Sequence, residues 1–225
     1  MISLQGQPHI PPKAKRLEKL VVLLHGYGAS GDNLLALSYH WQDSLPNAIF
    51  VAPNGLEVCD INPHGYQWFG LPDLSPFNIR LGLDHAAPIL QNYLQQLMTA
   101  YQLAPQDVAL VGFSQGAMLA FDMMFLIPTL AGIVGYSGIF LPPRTRPPSS
   151  PLTKVLLVHG TFDTVVPHAA FLHAETTLKD YNVSFQSHTC HGLDHSISAE
   201  GIQVGKKFLS QVLSSSPDKE SSTYA

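Results

Sequence analysis

The stretch Val108-Ala-Leu-Val-Gly-Phe-Ser-Gln-Gly-Ala-Met118 decides how the rest of the chain is read. A short run of apolar, β-branched residues passes through Gly112-Phe-Ser114-Gln-Gly116 into a segment of helical period, so Ser114 lies at a tight strand-to-helix turn. Small residues are needed at 112 and 116 because such a turn brings neighbouring backbones into contact. The turn exposes the Ser114 hydroxyl above a sheet. It also puts the Gln115 amide at a helix N-terminus, where an unpaired N–H can donate to an oxyanion. The plain alternative is a serine that merely caps the helix after it.

Outward from this stretch the same alternation repeats. Strand-like runs at 19–24, 48–52, 107–113, 130–136, 154–159 and 183–189 lack polar alternation, as strands do when helices cover both faces of a parallel sheet. Between them, residues 83–101, 115–126, 168–181 and 198–213 show three- and four-residue apolar spacing, with a weaker pattern at 32–41. The expected class is α/β, with a mostly parallel central sheet flanked by helices. Two stretches read as irregular: 53–79, with Pro63, Pro72 and Pro76, and 141–151, with its Pro-Pro-Arg-Thr-Arg-Pro-Pro run. A loop as long as the first suits a binding loop or lid.

The 225 residues, 45% hydrophobic and 12% charged, suffice for one substantial core, so residues 1–213 are read as one catalytic domain and 214–225 as a polar, flexible tail. A net charge of −4, from 12 basic and 16 acidic residues, gives no footprint for nucleic acid or an anionic membrane surface. The two cysteines, Cys59 and Cys190, are too few for a disulfide framework and lack the paired spacing of a structural zinc site. Near the basic residues Lys13, Lys15, Arg16 and Lys19, the apolar run 20–24 is too short for a signal-peptide core or a membrane span. A cytoplasmic protein without stable membrane insertion is expected.

A serine hydroxyl needs a base and an orienting carboxylate to act as a nucleophile at neutral pH. The strand at 154–159 ends in His159-Gly-Thr-Phe-Asp-Thr-Val-Val-Pro, which puts Asp163 just past a strand's carboxyl end, where open α/β sheets build their sites. Its alternative role is a turn residue. After the last strand, Cys190-His-Gly-Leu-Asp-His-Ser offers His191 and His195, and spacing does not choose between them. Asp194 reads as a turn residue. The glycine-rich Leu24-His-Gly-Tyr-Gly-Ala-Ser-Gly-Asp, after an early strand, is placed to supply a second oxyanion donor, the Tyr27 amide. It lacks the lysine of a phosphate-binding loop.

Leu24-His-Gly-Tyr-Gly, Gly112-Phe-Ser-Gln-Gly, Ser137-Gly-Ile-Phe-Leu-Pro, His159-Gly-Thr-Phe-Asp-Thr-Val-Val-Pro and Gly192-Leu-Asp-His-Ser together resemble the carboxylesterase, lysophospholipase and acyl-protein thioesterase family of small α/β-hydrolases. The resemblance spans nearly the whole chain. It implies the α/β-hydrolase fold with no large cap domain, a serine hydrolase of carboxylic esters or thioesters, His195 as the base, and Tyr27 and Gln115 as oxyanion donors. The substrate it implies is a small-molecule or lipid ester or thioester; relatives often dimerise, which makes a homodimer part of the same expectation. Neither metal nor organic cofactor is called for.

The resemblance further implies that Trp68 and Phe69, in Gly65-Tyr-Gln-Trp-Phe-Gly, line an acyl pocket; relatives often have Asp where this chain has Gly70. Packing in the core is the competing role for the two rings. Leu71, Leu74, Phe77 and residues 139–141, Ile139 among them, would extend an apolar approach for medium or long acyl chains. Competing functions are a dienelactone-hydrolase-like or peptidase activity on the same fold, disfavoured in the first case by serine in place of cysteine, and a non-catalytic lipid or partner-binding protein.

Overall fold

The computed structural model describes residue 4 and residues 6–214; of the tail expected at 214–225, Ser214 is the last residue of a helix, and 215–225 lie outside the described residues. The chain runs from a two-residue strand β1 (Pro8–His9) to β2 (Lys19–Leu24), the short helices α1 (Gly31–Leu35) and α2 (Ser38–Trp41), and β3 (Ala48–Val51). A hairpin of β4 (Glu57–Cys59) and β5 (Asn62–Gln67) leads to the long helix α3 (Pro76–Tyr101). Then come β6 (Val108–Phe113), α4 (Gln115–Leu126), β7 (Gly132–Tyr136), β8 (Lys154–Gly160), α5 (His168–Asp180), β9 (Phe185–Cys190) and α6 (Ala199–Ser214).

Seven strands form one sheet in the order β1-β3-β2-β6-β7-β8-β9, and every neighbouring pair is parallel except β1 with β3. Because side chains alternate across a strand, Leu20, Val22 and Leu24 of β2 enter the core under α3, α4 and α5. Val21 and Leu23 enter the opposite core, with Leu34, Trp41, Phe208 and Leu209 from α1, α2 and α6. Helices therefore cover both faces, and β2, β3, β6 and β7 are apolar without alternation; the run expected at 183–189 departs from this, because β9 is an edge strand with polar Gln186, Ser187, His188 and Thr189. From β2 the chain first lays β3 on one side and later β6 on the other. That reversal leaves a crevice at the carboxyl ends of β2 and β6, the place where open α/β sheets bind ligands.

Two expectations need correction. Residues 53–79 are not irregular throughout: they hold the β4–β5 hairpin and the first turn of α3. Pro63 falls where the ladder is already irregular, its register shifting between Val58 and Cys59, so no regular pairing is interrupted. Pro76 starts a helix because a first-turn residue has no N–H to give up, and Ser75 caps it by accepting from the Asn78 amide at 3.3 Å. The helical pattern at 32–41 is in fact two short helices, α1 and α2. The stretch at 141–151 contains no regular element, as expected.

Candidate active site

Parallel strands put their carboxyl ends on one edge, and four of those ends deliver the predicted residues: β2 leads into Tyr27, β6 into Ser114, β8 into Asp163 and β9 into His195. Ser114 has φ 52° and ψ −116°, a strained conformation for a residue with a side chain. Its amide donates to the Tyr136 carbonyl at 2.9 Å, which ties the turn to β7. The capping role is not taken: the hydroxyl makes no bond to the helix and lies 3.0 Å from His195 Nε2 instead.

The other ring nitrogen of His195, Nδ1, is 2.7 Å from Asp163 Oδ2. A carboxylate only accepts, so Nδ1 carries the proton and Nε2 is left as the acceptor for the Ser114 O–H. Asp163 also makes the turn allowed for in the sequence: Oδ1 accepts from the amides of Val165 at 3.0 Å and Val166 at 2.8 Å. Burial pushes this carboxyl upward, but the bonds from His195 and the two amides outweigh burial and hold it below the usual range. His195 packs on the Phe113 ring at 4.9 Å. His191 is exposed, and among the described residues it has no bond to Asp163 or Ser114. Asp194 is a turn residue, its carboxylate accepting from the Ser196 hydroxyl and its carbonyl from the Ser196 amide.

The two backbone amides expected to face an oxyanion lie on adjoining segments. A Cβ on Gly26 would sit 3.4 Å from that of Ser114, and one on Gly116 only 1.9 Å from the Leu24 carbonyl oxygen, so the loop after β2 presses against the start of α4. Among the described residues no acceptor is paired with the amide of Tyr27 or of Gln115. The Tyr27 phenol is raised to about 12, first by burial and then by the neighbouring Cys59 and Asp60, while a bond with the Leu71 backbone opposes this.

Trp68 and Phe69 do not line an open pocket. Trp68 is 0% exposed and Phe69 4%, both within the main core. The Gln115 side chain, itself wholly buried, accepts from the Trp68 amide at 2.9 Å and donates to the Phe69 carbonyl at 2.8 Å. The Trp68 indole donates to the His25 carbonyl at 2.9 Å. The pair thus joins the end of β5 to the Ser114 turn and to the Tyr27 loop. Gly70 is exposed, and a Cβ there would meet Asp60 Oδ2 at an ordinary 3.7 Å. Leu71, Leu74, Ile139 and Leu141 pack partly buried against the core, and Phe77 is exposed on the first turn of α3.

Three supporting side chains went unnoticed in the sequence: the Gln115 amide group, His25 and His159. His25 accepts from the Gly55 amide at Nε2 (2.8 Å), so its Nδ1 donates to the Gly26 carbonyl (2.7 Å), which locks one neutral tautomer behind the Tyr27 loop. His159 donates from Nε2 to the Val166 carbonyl at 2.8 Å, and the same nitrogen is 3.3 Å from Asp163 Oδ2. Burial, the largest influence, lowers both histidines below their ordinary value. A shared signal was present: each belongs to a His-Gly pair at the carboxyl end of a strand, His25-Gly26 and His159-Gly160.

Known proteins share this sequence pattern and fold. The family described as Phospholipase/Carboxylesterase matches residues 5–213. An esterase of Escherichia coli strain K12, YpfH, is 27% identical over 200 residues, which cover 87% of this chain and 83% of that protein. Acyl-protein thioesterase 1 of Emericella nidulans is 29% identical over 231 residues, 92% of this chain and 95% of its own. Among solved structures, that of esterase PE8 superposes with a TM-score of 0.87 at 37% identity, covering 94% of this chain and all of that one.

Proposed function

Given that the chain belongs to the Phospholipase/Carboxylesterase family and is a hydrolase of carboxylic esters or thioesters, we propose that Ser114, His195 and Asp163 carry the reaction through an acyl-enzyme. The single observation that carries the proposal is the unbroken relay, 3.0 Å from Ser114 Oγ to His195 Nε2 and 2.7 Å from Nδ1 to Asp163. Ser114 Oγ attacks the carbonyl carbon and its proton passes to Nε2. The negative charge that develops on the carbonyl oxygen is met by the amides of Tyr27 and Gln115. His195 then gives its proton to the departing alcohol or thiol, and repeats both transfers with water to release the acid. Asp163 keeps the ring in the tautomer that accepts from Ser114 and stabilises the imidazolium.

The amide pair contributes roughly 3 kcal/mol per donor to the transition state. The cycle balances without metal or organic cofactor. In the same proposal residues 1–213 act as one catalytic domain in the cytoplasm; among the described residues, no helix is long and apolar enough to cross a membrane. With Trp68 and Phe69 buried, the acyl approach falls to Leu71, Phe77 and Ile139, with Leu74 and Leu141. That surface suits the acyl part of a lipid or acyl-protein ester or thioester.

The test is hydrolysis of p-nitrophenyl esters with acyl chains of about two to sixteen carbons, which spans the size range of ordinary ligand pockets. Wild type is compared with Ser114→Ala, Asp163→Ala, His191→Ala and His195→Ala. Only the His191 variant should retain wild-type rates. A preference for short, hydrophilic acyl groups across the series would remove the proposed apolar approach, and an active Ser114→Ala would remove the acyl-enzyme.

A further inference from the structure

A second group of chemically active side chains lies where β9 meets α6, outside the relay. His188 and Cys190 are two residues apart on β9 and so share one face of the strand; Glu200 lies in the first turn of α6. One donor atom from each, imidazole nitrogen, sulfur and carboxylate oxygen, lies within 4.8 Å of the other two. We propose that His188, Cys190 and Glu200 form a binding site for a borderline-soft divalent cation, Zn²⁺ being the best fit.

The donor chemistry selects the ion. A thiolate and an imidazole favour zinc over magnesium or calcium, which prefer oxygen donors, and one carboxylate is compatible with a tetrahedral zinc site. Bound donors would stand about 3.5 Å apart, from zinc–sulfur and zinc–nitrogen bonds of about 2.3 and 2.0 Å. A separation near 4.8 Å must therefore close by about an ångström, while the Glu200–His188 pair, already at 2.9 Å, opens slightly; Glu200, with 62% of its side chain exposed, has the freedom to adjust.

A surface ion pair is here joined by a buried thiol. Glu200 Oε1 already stands 2.9 Å from His188 Nε2, the nitrogen that would bind the metal. The Cys190 thiol is buried, and the Ser198 hydroxyl lies 3.5 Å from its sulfur, a donor suited to steadying a thiolate. Ser198 is itself held, accepting from the Gly201 amide at 3.0 Å. The three protein ligands, the exposed Glu200 among them, leave a fourth position for water.

The location has a consequence for the active site. Residues 191–198, which include His195, connect the strand that bears two of the ligands to the helix that bears the third. The Cys190 carbonyl also accepts from the Thr161 amide at 3.1 Å, two residues before Asp163. A bound ion would pin both ends of the His195 loop and make the folded state more resistant to heat, since it binds the native arrangement alone.

The experiment uses the full chain free of any affinity tag, with Zn²⁺ titrated calorimetrically and Co²⁺ as a spectroscopic probe. Wild type should bind one equivalent of either ion, show a near-ultraviolet thiolate-to-cobalt charge-transfer band, and unfold at a higher temperature with Zn²⁺ present. His188→Ala and Glu200→Ala, both changes outside the buried core, should lose the one-equivalent binding and the thermal shift while keeping esterase activity. Cys190→Ala should lose the band, and Cys59→Ala should keep it. Absence of saturable binding in wild type overturns the proposal. So does a cobalt band that survives in Cys190→Ala, or unchanged affinity in His188→Ala.

Discussion

Replacing Asp163 by Asn tests how the relay is held. The carboxylate has two differently occupied oxygens: Oδ1 accepts from the amides of Val165 and Val166 at 3.0 and 2.8 Å, while Oδ2 accepts from His195 Nδ1 at 2.7 Å and lies 3.3 Å from His159 Nε2. An Asn amide that turned its NH₂ toward Val165 and Val166 would set donors against two donors. It keeps its oxygen there, and the NH₂ faces His195. Nδ1 must then accept, the ring proton moves to Nε2, and Ser114 loses its base. A tautomer error of this kind lowers kcat by about 10⁴, or about 5.4 kcal/mol in the barrier. The fold should suffer less, because the two backbone bonds survive. Asp163→Ala, which leaves both amides unpaired, should cost a further 1–3 kcal/mol or so in stability. Steady-state hydrolysis of a p-nitrophenyl ester and urea unfolding of both variants are the measurements. If Asp163→Asn keeps more than about a tenth of wild-type kcat, the assignment of Asp163 as the orienting group fails.

Further expectations follow from the packing. Gly116→Ala puts a methyl group 1.9 Å from the Leu24 carbonyl oxygen, so the Ser114 turn must move away from the Tyr27 loop; kcat should fall on the order of a hundredfold, and an unchanged kcat would refute the close approach. Arg80 pairs bidentately with Asp122 at 2.7 and 2.8 Å, with side-chain exposures of 10% and 9%. Asp122→Ala should therefore destabilise by about 3–5 kcal/mol in urea, more than the double replacement of both partners by leucine. His25 and His159 are held neutral, below their ordinary 6.5, so at mildly acid pH the unfolded chain binds more protons than the folded one. Stability should decline as pH falls below about 6.5, with proton uptake on unfolding near pH 6; calorimetry that finds no uptake there would show that these rings titrate normally. The contribution of Asp163 has the acid-side sign too: its depressed value stabilises above the ordinary 3.8 and is lost as pH falls through the folded value.

What could be read from the chain and what could not divide along physical lines. Ser114 was legible because its requirements are local: a buried strand, glycines where the backbone crowds, and a helix immediately after. The α/β class was legible because a strand buried on both faces must be apolar throughout, as Leu20 to Leu24 are. Asp163 and the Tyr27 loop followed from the same rule, since a parallel sheet presents its strand ends on one edge. Prolines misled where position matters more than identity: Pro76 opens α3 and Pro63 sits at a ladder irregularity.

By itself, then, the sequence determined the sheet-and-helix class, the candidate nucleophile Ser114 and the set of strand ends from which its proposed partners come, because periodicity and turn chemistry act over a few residues. Spacing did not choose between His191 and His195; the family resemblance pointed to His195, and the tertiary structure brought it within reach of Ser114, 81 positions away, and buried Trp68 and Phe69 as ties between loops instead of leaving them as pocket walls. It also gave Gln115 a second use and placed His188, Cys190 and Glu200 side by side. Those outcomes depend on which surfaces meet once the strands have paired, and no local pattern along a chain records that.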